Sequence, residues 1–78
     1  MAELLNQIRE TLITDNEVGR ITGLGRTARA ERRNPRSKYY DPSFPKGVQL
    51  GGANSVRYVE SEVMAWVKAK IEASRKAA

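Results

Sequence analysis

The residues with the most evident chemistry are arginines and lysines gathered in one stretch of the chain. Between residues 26 and 38 there are six basic residues and one acid, Glu31, so this segment carries the same charge as the +5 of the whole chain. A focused cationic patch of this kind is typical of nucleic-acid binding. A solvated basic loop, or a patch for an acidic protein or a membrane surface, accounts for the charge equally well. The basic residues are Arg26, Arg29, Arg32, Arg33, Arg36 and Lys38.

Catalytic and metal chemistry find little support in the composition. The chain has no cysteine and no histidine, which removes disulfides, thiolate metal sites and the commonest general base. The acidic residues are scattered along the sequence, and no motif brings together a nucleophile, a general base or a set of metal ligands. We therefore expect no catalytic residues, no metal site, no cofactor and no enzymatic activity.

The length and the chain start indicate one small cytoplasmic domain. Seventy-eight residues allow a single modest core. No apolar run approaches the roughly eighteen residues of a membrane span. The start, Met1 to Leu5, lacks the basic and apolar segments of a secretory signal. We expect a cytoplasmic, nucleoid-associated bacterial protein without membrane contact.

The elements that must position the basic segment begin with two short helices. The segment Thr14–Glu17 has the pattern of a capping box, which predicts a helix over about 15–22 that ends at Gly23. A second helix is predicted over 26–33, because Pro35 disfavours helix in the residue before it. Two short helices across a glycine-containing turn form the helix-turn-helix pattern.

A hairpin and a long helix are predicted to follow the basic segment. Alternating residues at 48–50 and 56–59 around the glycine-rich stretch 51–55 indicate a β-hairpin, or wing. The last helix is predicted to begin at Glu60 or Ser61. Its apolar stripe consists of Val63, Trp66, Val67 and Ile71.

The first thirteen residues allow two interpretations. The spacing of Leu4, Leu5, Ile8 and Leu12 suits one face of a short helix. The same residues also suit a frayed terminal arm. We therefore divide the chain into an N-terminal arm or short helix at 1–13 and a winged helix-turn-helix DNA-binding domain at 14–78.

With its elements in this order, the sequence resembles the AlpA-type regulators of phages and prophages, over about residues 12–71. These are small winged helix-turn-helix proteins akin to excisionases and MerR-type DNA-binding domains. The resemblance implies a mostly α fold with a small β-hairpin. The motifs that carry it are Glu17-Val18, Thr22-Gly23-Leu24-Gly25-Arg26-Thr27, Phe44-Pro45-Lys46, Val48-Gln49-Leu50-Gly51, Ser55-Val56-Arg57-Tyr58, Glu60-Ser61-Glu62-Val63 and Ala65-Trp66-Val67.

The function that the resemblance implies is sequence-specific binding of double-stranded DNA in a phage or mobile element. Such a protein acts as a transcriptional regulator, an excisionase (recombination directionality factor) or both, with an integrase or RNA polymerase as a further partner. We expect a monomer or weak self-association in solution and several copies on DNA, because one small surface gives little specificity. The alternative is an interaction module, an anti-repressor or inhibitor, that docks an acidic partner through the same patch.

Two orientations of the basic helix remain open at this point. At roughly 100° per residue, a helical wheel places Arg26, Arg29 and Arg33 on one exposed face. The family instead has buried aliphatic residues at the positions of Arg29 and Arg32, which implies that Arg29 turns inward. Both orientations expose Arg26. The orientation implied by the family exposes Arg26, Thr27, Ala30 and Glu31.

The candidate contacts follow from residue chemistry and from position on the helix. The first residues of a recognition helix reach base edges, so we expect Arg26 to read a base and Thr27 to contact phosphate or a thymine methyl. The later basic residues are expected to hold phosphates, and the wing is expected to meet the adjacent backbone. The predicted DNA-binding residues are Arg26, Thr27, Arg29, Arg32, Arg33, Arg36, Lys38, Asn54, Ser55 and Arg57.

Overall fold

The computed structural model describes residues 10–77 and has the predicted winged helix-turn-helix architecture. Those residues form three helices and a small antiparallel sheet of three strands. The fold class is therefore mostly α with a β-hairpin, as the sequence predicts. In chain order the elements are β1 (Leu12–Ile13), α1 (Asp15–Thr22), α2 (Arg26–Arg33), β2 (Val48–Gln49), β3 (Val56–Val59) and α3 (Glu60–Ala77).

Local chemistry sets the ends of the first two helices. The hydroxyl of Thr14 accepts the backbone N–H of Glu17 at 3.3 Å, and the Glu17 carboxylate accepts the N–H of Thr14 at 3.4 Å. This reciprocal pair is the predicted capping box. Gly23 ends α1 with a φ of +75°, a left-handed conformation that glycine adopts without a Cβ penalty. The extended Asn34 ends α2 ahead of Pro35.

The sheet contains one strand that the sequence analysis does not predict. The strand order is β1-β3-β2, with Leu12 opposite Val59 and Val48 opposite Arg57. The predicted hairpin is thus present, but β3 also pairs with β1. Leu12 therefore lies in a strand rather than in the helix that its spacing suggests, and the folded unit extends to residues before 14. The other members of that set, Leu4, Leu5 and Ile8, lie outside the described residues.

A small core holds these elements together. Val18 of α1 and Val63 of α3 have no exposed surface, and Ile21, Leu24 and Trp66 pack partly buried against the core. So small a core leaves the start of α2 and most of the wing exposed. The buried hydrophobic residues of the described chain are Ile13, Val18, Phe44, Tyr58 and Val63.

The loop between α2 and β2 is attached to α3 through Trp66 and Asp41. The Trp66 ring meets Phe44 edge-on, with centroids 4.9 Å apart. Its indole N–H donates to the Asp41 carboxylate at 3.1 Å, and Lys70 Nζ lies 2.9 Å from the same group. These contacts place Trp66 in the predicted packing role. The predicted stripe is wrong at Ile71, which is 44% exposed.

Asp41 remains charged far below neutral pH because of the groups around it. Hydrogen bonds from the Ser43 hydroxyl and from Lys70 lower the pKa of Asp41, and their effect exceeds that of desolvation, which raises it. The Asp41 backbone N–H also donates to the carbonyl of Arg32 at 3.0 Å. One residue therefore links the C-terminal end of α2 to the middle of α3.

Candidate nucleic-acid interface

An ion-pair network between α1 and α2 determines how the basic helix is oriented. Asp15, at the start of α1, accepts hydrogen bonds from Nε and Nη2 of Arg29, both at 3.1 Å. The same carboxylate accepts Nη2 of Arg33 at 2.7 Å. Arg29 also donates to the carbonyl of Leu24 at 2.7 Å and is only 6% exposed. Arginines 29 and 33 therefore turn toward the protein interior.

Gly19 makes room for the Arg29 guanidinium. A Cβ atom added at Gly19 would lie 2.4 Å from Nη1 of Arg29 and 3.2 Å from the carbonyl oxygen of Leu24. The first distance is a collision that would displace the Arg29 guanidinium, and the second is tighter than an ordinary contact. Gly19 is helical, so its φ does not require glycine. The space occupied by Arg29 is the physical reason for a glycine inside α1.

Arg33 reaches the aromatic part of the core from the same face of α2. Its guanidinium carbon lies 4.5 Å from the Tyr58 ring centroid and 5.2 Å from that of Phe44. A planar cation above aromatic faces is favourable, and more so where water is partly excluded. The Arg33 side chain therefore bridges Asp15 and the core.

The two arginines lower the pKa of the acid that they share. Burial alone would raise the pKa of Asp15, but hydrogen bonds and charge from Arg29 and Arg33 outweigh burial and hold the pKa below its ordinary value. Asp15 thus stays ionised as the pH falls toward the usual range of aspartate titration. Ion pairing with Asp15 accounts for the placement of both arginines, and the single carboxylate offsets one of their two positive charges.

The helical-wheel prediction of one exposed face shared by residues 26, 29 and 33 is wrong. The wheel uses only the spacing within α2, and it therefore assigns Arg29 and Arg33 to the same exposed face as Arg26. In the structure Arg29 is buried and Arg33 is half-buried, since Asp15 attracts both guanidinium groups. The orientation implied by the family resemblance is the one observed for Arg29.

The start of α2 presents a different surface. Arg26, Thr27 and Ala30 are exposed, and the N-terminal residue of the helix is preceded by Gly25, which provides no side-chain cap. The first turn contains no acid. Backbone N–H groups at a helix start attract anions, and here they lie beside a free guanidinium. The arrangement suits contact with phosphate or with a base edge.

Near the C-terminal end of α2, two basic side chains lie beside the ring of an exposed tyrosine. The guanidinium carbon of Arg32 lies 5.8 Å from the Tyr39 ring centroid, and Nζ of Lys38 lies 5.2 Å from it. Tyr39 is 53% exposed and does not pack behind the helix, whereas Phe44 is buried and contacts Arg33 of α2. Arg36 and Lys38 are also exposed. These cations are available to a polyanion.

The wing places three predicted contact residues near the edge of the fold. Arg57 is half-buried in β3, where its Nη1 donates to the carbonyl of Val56 at 3.0 Å. Asn54 has a φ of +61°. Asparagine tolerates this left-handed conformation, so the turn explains Asn54 without a ligand. Ser55 follows as a half-buried residue, and its carbonyl accepts the N–H of Leu50.

Two residues that matter for the site were not singled out from the sequence. Asp15 was considered only within the capping box, and Gly19 was not considered. The available signal was an acid at the start of one helix, and a glycine one turn later, opposite arginines of the next helix. Arg20, exposed in the last turn of α1, is a further cation outside the predicted set.

Together these features define a small winged helix-turn-helix protein whose second helix is basic and exposed at its start. A family model described as prophage CP4-57 regulatory protein (AlpA) matches residues 11–71, most of the chain. The protein therefore belongs to the AlpA family of prophage regulatory proteins. Comparisons with curated proteins and with solved structures found no match.

Residues 10–77 contain neither a membrane-spanning helix nor a metal-binding cluster. Within that range no helix is both long enough and apolar enough to span a membrane. The same residues contain no group of three or more acidic, histidine or cysteine side chains arranged to hold a metal ion.

Proposed function

We propose that this protein is a regulator that binds double-stranded DNA with sequence preference, inserting the start of α2 into the major groove. The observation that carries the proposal is the division of the arginines on α2. Asp15 holds Arg29 and Arg33 inward, and this leaves Arg26 and Thr27 exposed at the helix start. Base edges are normally read by the first residues of a recognition helix.

Each exposed group has a distinct proposed contact. Arg26 matches the paired acceptors O6 and N7 of guanine, and Thr27 meets a thymine methyl or a phosphate. Charged side chains farther along hold phosphates and so add affinity without sequence choice. The wing meets the neighbouring backbone. The proposed phosphate contacts are Arg32, Arg36, Lys38, Asn54, Ser55 and Arg57, whereas Arg29 and Arg33 support the helix from inside.

The salt dependence of binding tests the electrostatic part of this proposal. Four of the proposed phosphate contacts are cations, and each of these contacts releases condensed counterions when it forms. For about four phosphate contacts, the logarithm of the DNA association constant falls with the logarithm of salt concentration at a slope of about −4. Fluorescence anisotropy titrations of labelled duplex DNA measure this slope. A slope near zero contradicts the proposal. The cations are Arg32, Arg36, Lys38 and Arg57.

The alternative of an acidic protein partner is tested in the same titration. Polyglutamate provides carboxylates without base edges or the regular phosphate spacing of a duplex. If it displaced labelled DNA as effectively as unlabelled duplex at equal charge concentration, the surface would be a general anion patch. We expect the duplex to compete far better, because an arginine that bonds guanine O6 and N7 recognises a base as well as charge.

The biological setting is resolved by where the protein binds. A footprint over a promoter supports transcriptional regulation. A footprint over several phased repeats beside an integrase site supports excision, with the integrase as partner. In both cases we propose several copies on DNA, since a surface as small as one eight-residue helix and a short wing gives limited affinity alone.

A further inference from the structure

The one acid of the basic segment lies on the outer side of α2. Glu31 is two residues after Arg29 and two before Arg33. At roughly 100° per residue its side chain therefore leaves the helix on the side opposite these two arginines. Glu31 is half-buried and lies one helical turn beyond Thr27. Thr27 itself is exposed. Glu31 thus lies on the same side of the helix as Thr27, one of the two proposed base contacts.

The Glu31 carboxylate is oriented without being neutralised. The hydroxyl of Ser37, in the loop after α2, donates to Oε2 of Glu31. Glu31 forms no ion pair with any arginine or lysine among residues 10–77, although Arg32 is its neighbour in the chain. Asp15 and Asp41, by contrast, each bind a cation. A fixed and charged acceptor in a cationic segment lowers affinity for phosphate, so it calls for a positive role.

Chemistry restricts what such a group can recognise on a duplex. An ionised carboxylate only accepts hydrogen bonds. In the major groove it matches the N4 amino group of cytosine, and it is repelled by the acceptors of guanine and thymine. Adenine offers an amino group beside the N7 acceptor, which suits an amide better than a carboxylate.

We propose that Glu31 is a specificity-determining residue that reads the amino group of a cytosine in the DNA bound by α2. Ser37 acts as a positioning residue that holds the carboxylate toward the groove. This inference rests on the proposed function. Arg26 and Glu31 then contact different base pairs, since they lie more than one turn apart on the helix.

Selection from a duplex pool with random central bases tests the inference. The unchanged protein, Glu31→Gln and Glu72→Gln are each used to enrich bound sequences, and the enriched site is then titrated with each single-base change. Glu72→Gln removes the same charge from an exposed position on α3, away from the proposed interface. Circular dichroism melts confirm that all three proteins are folded.

The expected result is a cytosine preference at one base pair, roughly tenfold over thymine, in the unchanged protein and in Glu72→Gln. Glu31→Gln loses that preference or shifts it to adenine, because an amide pairs with adenine N6 and N7. Ser37→Ala keeps cytosine as the preferred base but discriminates less, which separates orientation from charge.

Two results overturn the inference and are distinguishable from each other. If Glu31→Gln enriches the same bases as the unchanged protein, or gains affinity for every sequence only as much as Glu72→Gln does, Glu31 acts as general charge alone. DNA binding by α2 then still stands. If the unchanged protein enriches no sequence and binds duplex without salt dependence, the proposed function fails and the reading of cytosine fails with it.

Discussion

The two sides of helix α2 carry the same kind of side chain in different surroundings. On the inner side, Arg29 and Arg33 share the Asp15 carboxylate and lie against Gly19 and the core aromatics. The outer side, by which we mean the exposed start of the helix, holds Arg26, which forms no ion pair within the described residues. Position relative to one aspartate, rather than residue type, separates a structural arginine from a free one.

This difference changes how the charge of the basic segment is interpreted. Counting residues assigns six cations to a polyanion, but the Asp15 network engages two of them within the fold. The other four cations lie at the start of α2, in its last turn and in the loop after it. Burying a charged arginine is costly unless its partners compensate for the lost water. The inner side is thus expected to affect stability, and the outer side DNA affinity.

The largest expected effect comes from removing the shared acid. Asp15→Ala leaves the buried Arg29 guanidinium without its carboxylate, and we expect a loss of about 2–3 kcal/mol in the free energy of unfolding. Loss of one partner of a fully buried pair costs about 3–5 kcal/mol. The smaller value allows for the 40% exposure of the Asp15 side chain. Urea denaturation followed by circular dichroism measures the loss.

The neighbouring Asn16→Ala provides the matched control for that comparison. Asn16 is exposed in the same turn of α1, and we expect its replacement to change stability by less than about 0.5 kcal/mol. Equal losses for the two variants would mean that the inner network adds nothing to the fold. The distinction between the two sides of α2 would then be one of geometry only.

Arg26→Ala tests the outer side and has the next largest expected effect. We expect specific DNA binding to weaken by roughly 1–3 kcal/mol, with a smaller loss on random DNA. The melting temperature is expected to stay nearly unchanged, because Arg26 is exposed and unpaired within the described residues. Arg75→Ala removes an equal charge from the exposed end of α3 and is the control. Equal losses on both DNAs would make Arg26 a phosphate contact.

The helix ends could be predicted from the sequence because they depend on adjacent residues. Thr14 and Glu17 complete their capping box within one turn, Gly23 supplies a left-handed end, and Pro35 stops α2. The hairpin was predictable for the same reason, through the glycines at its turn. Each signal acts over a few residues, and local conformation follows from it.

The orientation of α2 and the strand β1 depended on contacts between distant residues. A two-residue strand has no periodicity, and only pairing with Val59 makes Leu12 part of the sheet. Arginine on a helical wheel indicates a polar side, which normally faces water. Asp15 reverses that rule for Arg29, and nothing in the spacing within α2 reveals it. The family resemblance supplied this orientation because it reflects the whole fold.

The smallest expected effect isolates the contact between α1 and the inner side of α2. Gly19→Ala adds helix propensity, worth up to about 1 kcal/mol, but its Cβ would collide with the Arg29 guanidinium. We expect a net loss of about 1 kcal/mol in the unchanged background. With Arg29→Ala already present, only the close approach to the Leu24 carbonyl remains. That approach offsets the gain in helix propensity, so Gly19→Ala becomes neutral to within about 0.5 kcal/mol. A double-mutant cycle by urea denaturation measures the difference. Additive effects of the two substitutions would show that glycine at 19 is unrelated to Arg29. The inward orientation of Arg29 would then rest on the Asp15 ion pairs alone.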